Sequence, residues 1–212
     1  MANRNDAQAR PASPGERRKQ AMMEAAYSLF TENGYASVTL DDIIKISGGS
    51  KSSLYSFFGS KEGLLKAVVE ALAHEMLEEL HVPVPLGQNP CAALRKIGNR
   101  IARLALSDNA INQFRLAVSN ARSRPDLARF WYEHGPNTTF DGLAGYLAKE
   151  AEAGRLNIED PRRAAVFFLS MIICKDTLTM AVGMQPPSAS EIEELVEDAV
   201  EVFLGAYGRE PS

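Results

Sequence analysis

Residues 39–61, TLDDIIKISGGSKSSLYSFFGSK, leave this chain few folds to choose from. Thr39 is a good helix N-cap, and Asp41 and Asp42 stand in the first turn, where the helix dipole favours negative charge. Leu40, Ile43, Ile44 and Ser47 follow at helical spacing, so one side of this short helix is mostly apolar. Gly48-Gly49 stops it, because glycine takes the positive φ that a helix exit needs. Ser50 then caps a second helix over residues 51–58. Leu54, Phe57 and Phe58 fall on one side of it. Ser52, Tyr55 and Ser56 point the other way, with Lys51 beside them. Gly59-Ser60 ends this helix and caps a third, which opens Lys61-Glu62. Two short helices about a tight glycine turn make a helix-turn-helix corner. Its second helix carries chemistry that suits DNA. Serines let the backbone approach base edges, lysine reaches guanine or phosphate, and a tyrosine hydroxyl donates to phosphate. A helical corner with no partner fits the same pattern.

The residues also carry a family likeness. Thr39, Ile43-Ile44, Ser47-Gly48, the run from Ser50 to Phe58, Ser60-Lys61-Glu62 and Leu64-Leu65 resemble the N-terminal domain of the TetR (tetracycline repressor-like) bacterial regulators. Phe30, Gly34, Tyr35 and Thr39 match the family's lead-in, and the likeness covers about residues 17–65. Three positions depart from the commonest family pattern. Lys45 and Ser47 stand where Ala is usual, and Gly49 where Val or Ile is usual. These departures are expected to loosen the packing of the turn. The segment 114–156 (FRLAVSNARSRPDLARFWYEHGP…) resembles the C-terminal domain of the AefR-like branch.

Net charge is −4, which by itself argues against nucleic acid. Its distribution answers the objection. Residues 1–61 hold eight Lys/Arg against six Asp/Glu, and the rest of the chain fifteen against twenty-one. The positive excess thus sits with the proposed DNA-binding end, but it is small, so binding is expected to need a dimer. Cys91 and Cys174 are too few for a metal or disulfide framework. The polar N-terminus lacks the apolar core of a signal peptide. The most apolar run, residues 164–174, reads as too short to span a bilayer. A cytoplasmic protein with no cofactor, no metal and no membrane partner is expected.

Helical periodicity continues to the end, with no β-alternation longer than a few residues. The expected fold is all-α: a flexible arm (1–14), a helix-turn-helix DNA-binding domain (15–62) and a helical effector-binding and dimerisation domain (63–212). In the arm and just after it, Arg4, Arg10, Arg17, Arg18 and Lys19 could add phosphate contacts. A first helix over about 15–33 buries Met22, Ala25, Ala26, Leu29 and Phe30. A long helix over about 60–81 carries the stripe Leu64, Leu65, Val68, Leu72, Met76 and Leu80, and reads as a rod linking the two domains. His74, Glu78 and His81 share one of its faces, which we read as solvated rather than metal-binding. Residues 82–89 break the chain. Helices are then expected from Asn89-Pro90, Asp108, Pro125-Asp126, Gly135-Pro136, Asp160-Pro161 and Ser190. The helix after Asp160 is apolar almost all round, from Val166 to Cys174, so it needs cover on both sides. A second copy of the chain is the cheapest supplier, with the last two helices pairing as a four-helix bundle, and a fully buried monomer core is the alternative. The family resemblance implies the same interface.

The resemblance further implies a small-molecule pocket among the middle helices. Candidate effector contacts are Phe114, Arg115, Trp131, Phe140, Phe167 and Met171, with Tyr132, Asn112, Gln113, Asn120 and Lys175 as further bulky or polar material. The expected function is a dimeric repressor that binds a palindromic operator in double-stranded DNA and is released by an effector. Thr39, Tyr55, Ser56 and Lys61 are expected to hold phosphates, and Lys51, Ser52 and Ser53 to face bases. A regulator without an effector is the alternative. An enzyme is disfavoured, because the chain carries no Ser/His/Asp set, phosphate loop or carboxylate–histidine metal motif.

Overall fold

The computed structural model describes residues 13–80 and 89–208, without the side chains of residues 73–80. The arm with Arg4 and Arg10, the break at 82–88, the His74/Glu78/His81 face, and Met76 and Leu80 of the long stripe fall outside the described residues or side chains. Ten α-helices fill the described chain, and no strand occurs among the described residues. They divide into two compact units, Met1–Val68 and Val69–Ser212.

The first unit contains α1 (Pro14–Asn33), α2 (Leu40–Ser47), α3 (Lys51–Phe58) and the start of α4 (Lys61–Leu80). Helix α1 begins at Pro14, because Ser13 and Glu16 form a reciprocal capping box. Its buried stripe is Met22, Ala25, Ala26 and Phe30. Against it lie Ile43 of α2 and Leu54 of α3, both fully buried, and the unit also buries Leu64, Leu65 and Val68 of α4. Each such side chain contributes roughly 2 kcal/mol by leaving water. Phe57 departs from expectation. It is 36% exposed, since an eight-residue helix seated on two neighbours covers only Leu54 completely. The Phe57 ring stacks edge-on against Phe58, 6.0 Å away.

The glycine turn explains one departure from the family pattern. Gly48 and Gly49 have φ of +73° and +97°, a region that side chains other than glycine rarely enter. A Cβ on Gly49 would stand 2.8 Å from the Met22 methyl, which is fully buried there. Met22 therefore fills the space that a Val or Ile would take, and the turn is packed rather than loosened. Ser47 bonds back to the Ile43 carbonyl at 2.9 Å, and Lys45 lies exposed.

The second unit holds α5 (Pro90–Ala105), α6 (Asp108–Asn120), α7 (Pro125–His134), α8 (Pro136–Glu152), α9 (Pro161–Ala181) and α10 (Ala189–Tyr207). Helix α6 is capped by Ser107, whose hydroxyl accepts the Ala110 N–H, so Asp108 is its first residue and not its cap. Helix α10 starts one residue earlier than expected, because Ser188 and Glu191 form a capping box. Helix α9 packs along α8, α5, α6 and α10, and α10 also lies on α5. Phe168, Leu169 and Ile172 of α9 meet Leu94, Leu147, Val196 and Phe203 in the core. Gly98 lets α5 approach closely: a Cβ there would be 2.9 Å from Val196 and 3.2 Å from Ile172.

Helix α9 has 21 residues and is long and apolar enough, by length and composition, to cross a membrane. The expectation of a run too short to span is corrected, because the helix continues to Ala181. It is nonetheless a core helix of this unit, and it carries Asp176, itself buried. A charge buried against Lys175 at 3.2 Å is costly in lipid.

Candidate functional site

Two candidate binding places lie among the described residues: the outer face of α3, and a cavity in the second unit. The face of α3 follows from its length and its caps. Ser50 accepts the Ser53 N–H at 3.1 Å and starts the helix. Leu54 pins one side into the unit, which turns Lys51, Ser52, Tyr55 and Ser56 outward. These residues at i, i+1, i+4 and i+5 form a contiguous strip. Ser52, Tyr55 and Ser56 make no side-chain hydrogen bond among the described residues, so their donors and acceptors are free to meet a ligand. Tyr55 is 52% exposed.

The other four candidate DNA-binding residues are already engaged. The Lys51 ammonium lies 2.8 Å from Asp41 of α2, with both side chains exposed. The hydrogen bond to that carboxylate and its charge raise the lysine pKa above its ordinary value. Ser53 is half-buried, its hydroxyl 3.1 Å from that of Ser50, so it is less open to solvent than Ser52. The Thr39 hydroxyl donates to the Asp42 carboxylate at 2.6 Å and accepts the Asp42 N–H at 3.2 Å. The hydrogen bonds that its carboxylate accepts from the Thr39 hydroxyl and from the Thr39 N–H, at 2.8 Å, hold the Asp42 carboxyl below the usual range. Thr39 is thus the helix cap first. Lys61 donates to the Tyr35 carbonyl at 2.5 Å, and its ammonium sits 4.3 Å from the centre of the Tyr35 ring. Burial lowers its pKa, outweighing the attraction of Glu62 and Asp42. An ammonium has three donors, so Lys61 and Lys51 each keep some for a phosphate. The lysine pairs could not be read from the sequence, because Lys51 meets a residue of another helix and Lys61 one in the turn between α1 and α2. Arg17, Arg18 and Lys19 are exposed on α1, with the Lys19 ammonium 5.9 Å from the Phe58 ring.

The cavity has a volume of about 110 Å³ and lies among α5, α6, α7, α8 and α9. Phe114, Trp131 and Phe140, three of the expected contacts, line it. Phe114 and Trp131 are tilted partners, 5.8 Å apart. Arg115, Phe167 and Met171 do not line it. The Arg115 guanidinium turns to the carbonyls of Met180 and Ala181 at the end of α9. Phe167 and Met171 sit on the opposite, outward face of α9, 51% and 37% exposed. Gln113 and Asn120 are buried without lining it, and Tyr132 and Lys175 are exposed. The sequence reading missed Thr139 and Thr177, which supply the only hydroxyls on the wall among the described residues. Among the described residues, no group of three or more His, Cys, Asp and Glu could hold a metal.

The sequence model for the bacterial regulatory proteins of the tetR family matches residues 22–68, and that for the AefR-like transcriptional repressor C-terminal domain matches residues 92–209. The chain belongs to the TetR family. Its second unit carries the AefR-like form of the family's C-terminal domain. The transcriptional repressor AcnR of Corynebacterium efficiens is 24% identical over 186 residues, 86% of this chain and 92% of AcnR. The flavonoid-responsive regulator FrrA superposes with a TM-score of 0.78 at 30% identity, over 92% of this chain and 99% of FrrA. A TetR-family regulator from Mesorhizobium loti has the same fold, with a TM-score of 0.77 at 23% identity over 93% and 100% of the two chains. This TetR-family chain is therefore a transcriptional regulator and not an enzyme.

Proposed function

We propose that this TetR-family regulator acts in the cytoplasm as a homodimeric repressor. It binds a palindromic operator through α3 and is released by a small-molecule effector held in the second unit. The outward strip of Lys51, Ser52, Tyr55 and Ser56 carries the reading, because an exposed polar helix face, with three free hydroxyls beside an ammonium that keeps donors beyond its Asp41 pair, suits a major groove. In this reading Lys51, Ser52 and Ser53 face bases, and Thr39, Tyr55, Ser56 and Lys61 hold phosphates. The first unit serves DNA, and the second serves effector and partner. Phe167, Met171 and Leu178 recur at helical spacing on the outer face of α9, with exposed Val182 just past its end, and support a dimer. The apolar cavity and the flavonoid responsiveness of FrrA support effector control over a regulator without one.

Selection of bound fragments from random duplexes yields the operator, and titration at several salt concentrations tests the contacts. Lys61→Ala should weaken binding to all sequences alike and reduce the salt slope by about 0.9. Lys51→Ala should also relax base preference. If neither variant changes binding, α3 is not the reading helix. Effector binding can shift operator affinity only by its preference for one dimer geometry, typically ~1–3 kcal/mol.

A further inference from the structure

We infer that the effector of this chain is a small uncharged ligand built on a single aromatic ring, with at most one hydrogen-bonding substituent. This rests on the reading of the cavity as the effector site. Size comes first. Pockets for drug-sized ligands occupy roughly 300–1,000 Å³, whereas an apolar cavity of about 150 Å³ holds one benzene. At about 110 Å³ and open on one side, the cavity seats one ring, and the rest of a three-ring flavonoid would stand outside its walls. Its shape is fixed from behind. The Arg162 guanidinium sits 5.1 Å from the centre of the Phe140 ring and is itself held by Asn137 at 2.5 Å and Asp141 at 3.0 Å. The Phe140 wall is therefore braced and does not swing away readily.

Chemistry narrows the class further. No charged side chain lines the cavity among the described residues. A carboxylate placed there would lose its water without gaining a partner, which is strongly unfavourable. The tilted Phe114–Trp131 pair and Phe140 offer ring faces and edges to an aromatic guest. Only two hydroxyls break the apolar wall. That of Thr139 is spent as a donor on the Gly135 carbonyl at 3.2 Å. That of Thr177 makes no hydrogen bond among the described residues, so it can serve one polar substituent. The wall thus selects toluene-like and phenol-like molecules over aromatic acids and fused or linked rings.

The test uses the full-length protein with toluene, p-cresol, benzoate and the flavonoid naringenin, each measured by equilibrium dialysis. Toluene and p-cresol should bind saturably, and benzoate and naringenin far more weakly. Thr177→Val should weaken p-cresol about fivefold, the worth of one ordinary hydrogen bond, and leave toluene unchanged. Ala105→Leu, which places three more carbons on the wall, should weaken both. The inference is overturned if neither arene binds, if benzoate or naringenin binds as well as the arenes, or if Ala105→Leu leaves toluene binding intact. Operator affinity measured with and without saturating ligand separates the two claims. Arene binding that leaves operator affinity unchanged refutes the effector role and keeps the ligand class. Benzoate or naringenin that releases DNA while the arenes do not refutes the class and keeps the role.

Discussion

Leu178→Ala offers a direct measure of whether the outer face of α9 is covered by a second copy. In the single chain Leu178 is 57% exposed, so its truncation opens no cavity and changes protomer stability little. Burying a whole leucine side chain is worth about 1.5–3 kcal/mol, so covering the remaining half is worth about 1 kcal/mol. Two-fold symmetry counts the residue twice, giving about 2 kcal/mol per dimer. The dimer dissociation constant should then rise roughly 30-fold, since 1.4 kcal/mol is tenfold. Phe167, 51% exposed, should behave alike, whereas buried Leu169 on the opposite face of the helix should unfold the second unit instead. Sedimentation equilibrium over a wide concentration range reads the constant, and Trp131 fluorescence confirms that the protomer stays folded. Two results would refute the reasoning. One is a Leu178→Ala dimer as tight as the parent, and the other a parent that stays monomeric at every concentration.

Three further outcomes are expected. Gly49→Val, which restores the family's usual residue, should cost about 4 kcal/mol through backbone strain at φ +97° and collision with Met22. Faster amide exchange in α2 and α3 would report it, and Met22→Ala in the same chain should recover part of the loss. Arg155→Met should destabilise the second unit by about 3 kcal/mol, because it strands Glu150, which is fully buried and held by Arg155 at 2.6 and 3.0 Å; urea unfolding followed at Trp131 measures this. Burial first, and then the Glu150 charge, push the Tyr146 phenol up to about 12. The folded state therefore holds this proton more tightly than the unfolded chain. The resulting stability, on the order of 2 kcal/mol, is complete below about pH 10 and is lost as pH rises through about 12. Tyr146→Phe should flatten the fall in melting temperature over that window, and an unchanged slope would contradict the assignment.

Much of the candidate interface was legible because it depends on local rules. Thr39, Ser50 and the Gly48-Gly49 pair declare helix ends through caps and positive φ, and Leu54 against Ser52 and Ser56 declares which side of α3 is buried. What those residues do beyond their own helix was not legible. Lys51 meets Asp41 across the turn, and Lys61 reaches back 26 positions to the Tyr35 carbonyl. Both contacts depend on how the helices pack, and periodicity says nothing about that. The cavity divides in the same way. Phe114, Trp131 and Phe140 were found because they are bulky and aromatic. Phe167 and Met171 look identical by that measure, yet they lie on the far side of α9.

The order and type of the helices, and the family, were determined by the sequence alone, since capping, glycine conformation and apolar spacing act within a few residues. Only the tertiary structure decided which lysines are already engaged, that Met22 fills the place of a missing side chain at Gly49, and how small the cavity is. Those properties belong to volumes and distances between helices, which are fixed when side chains from remote parts of the chain compete for the same space.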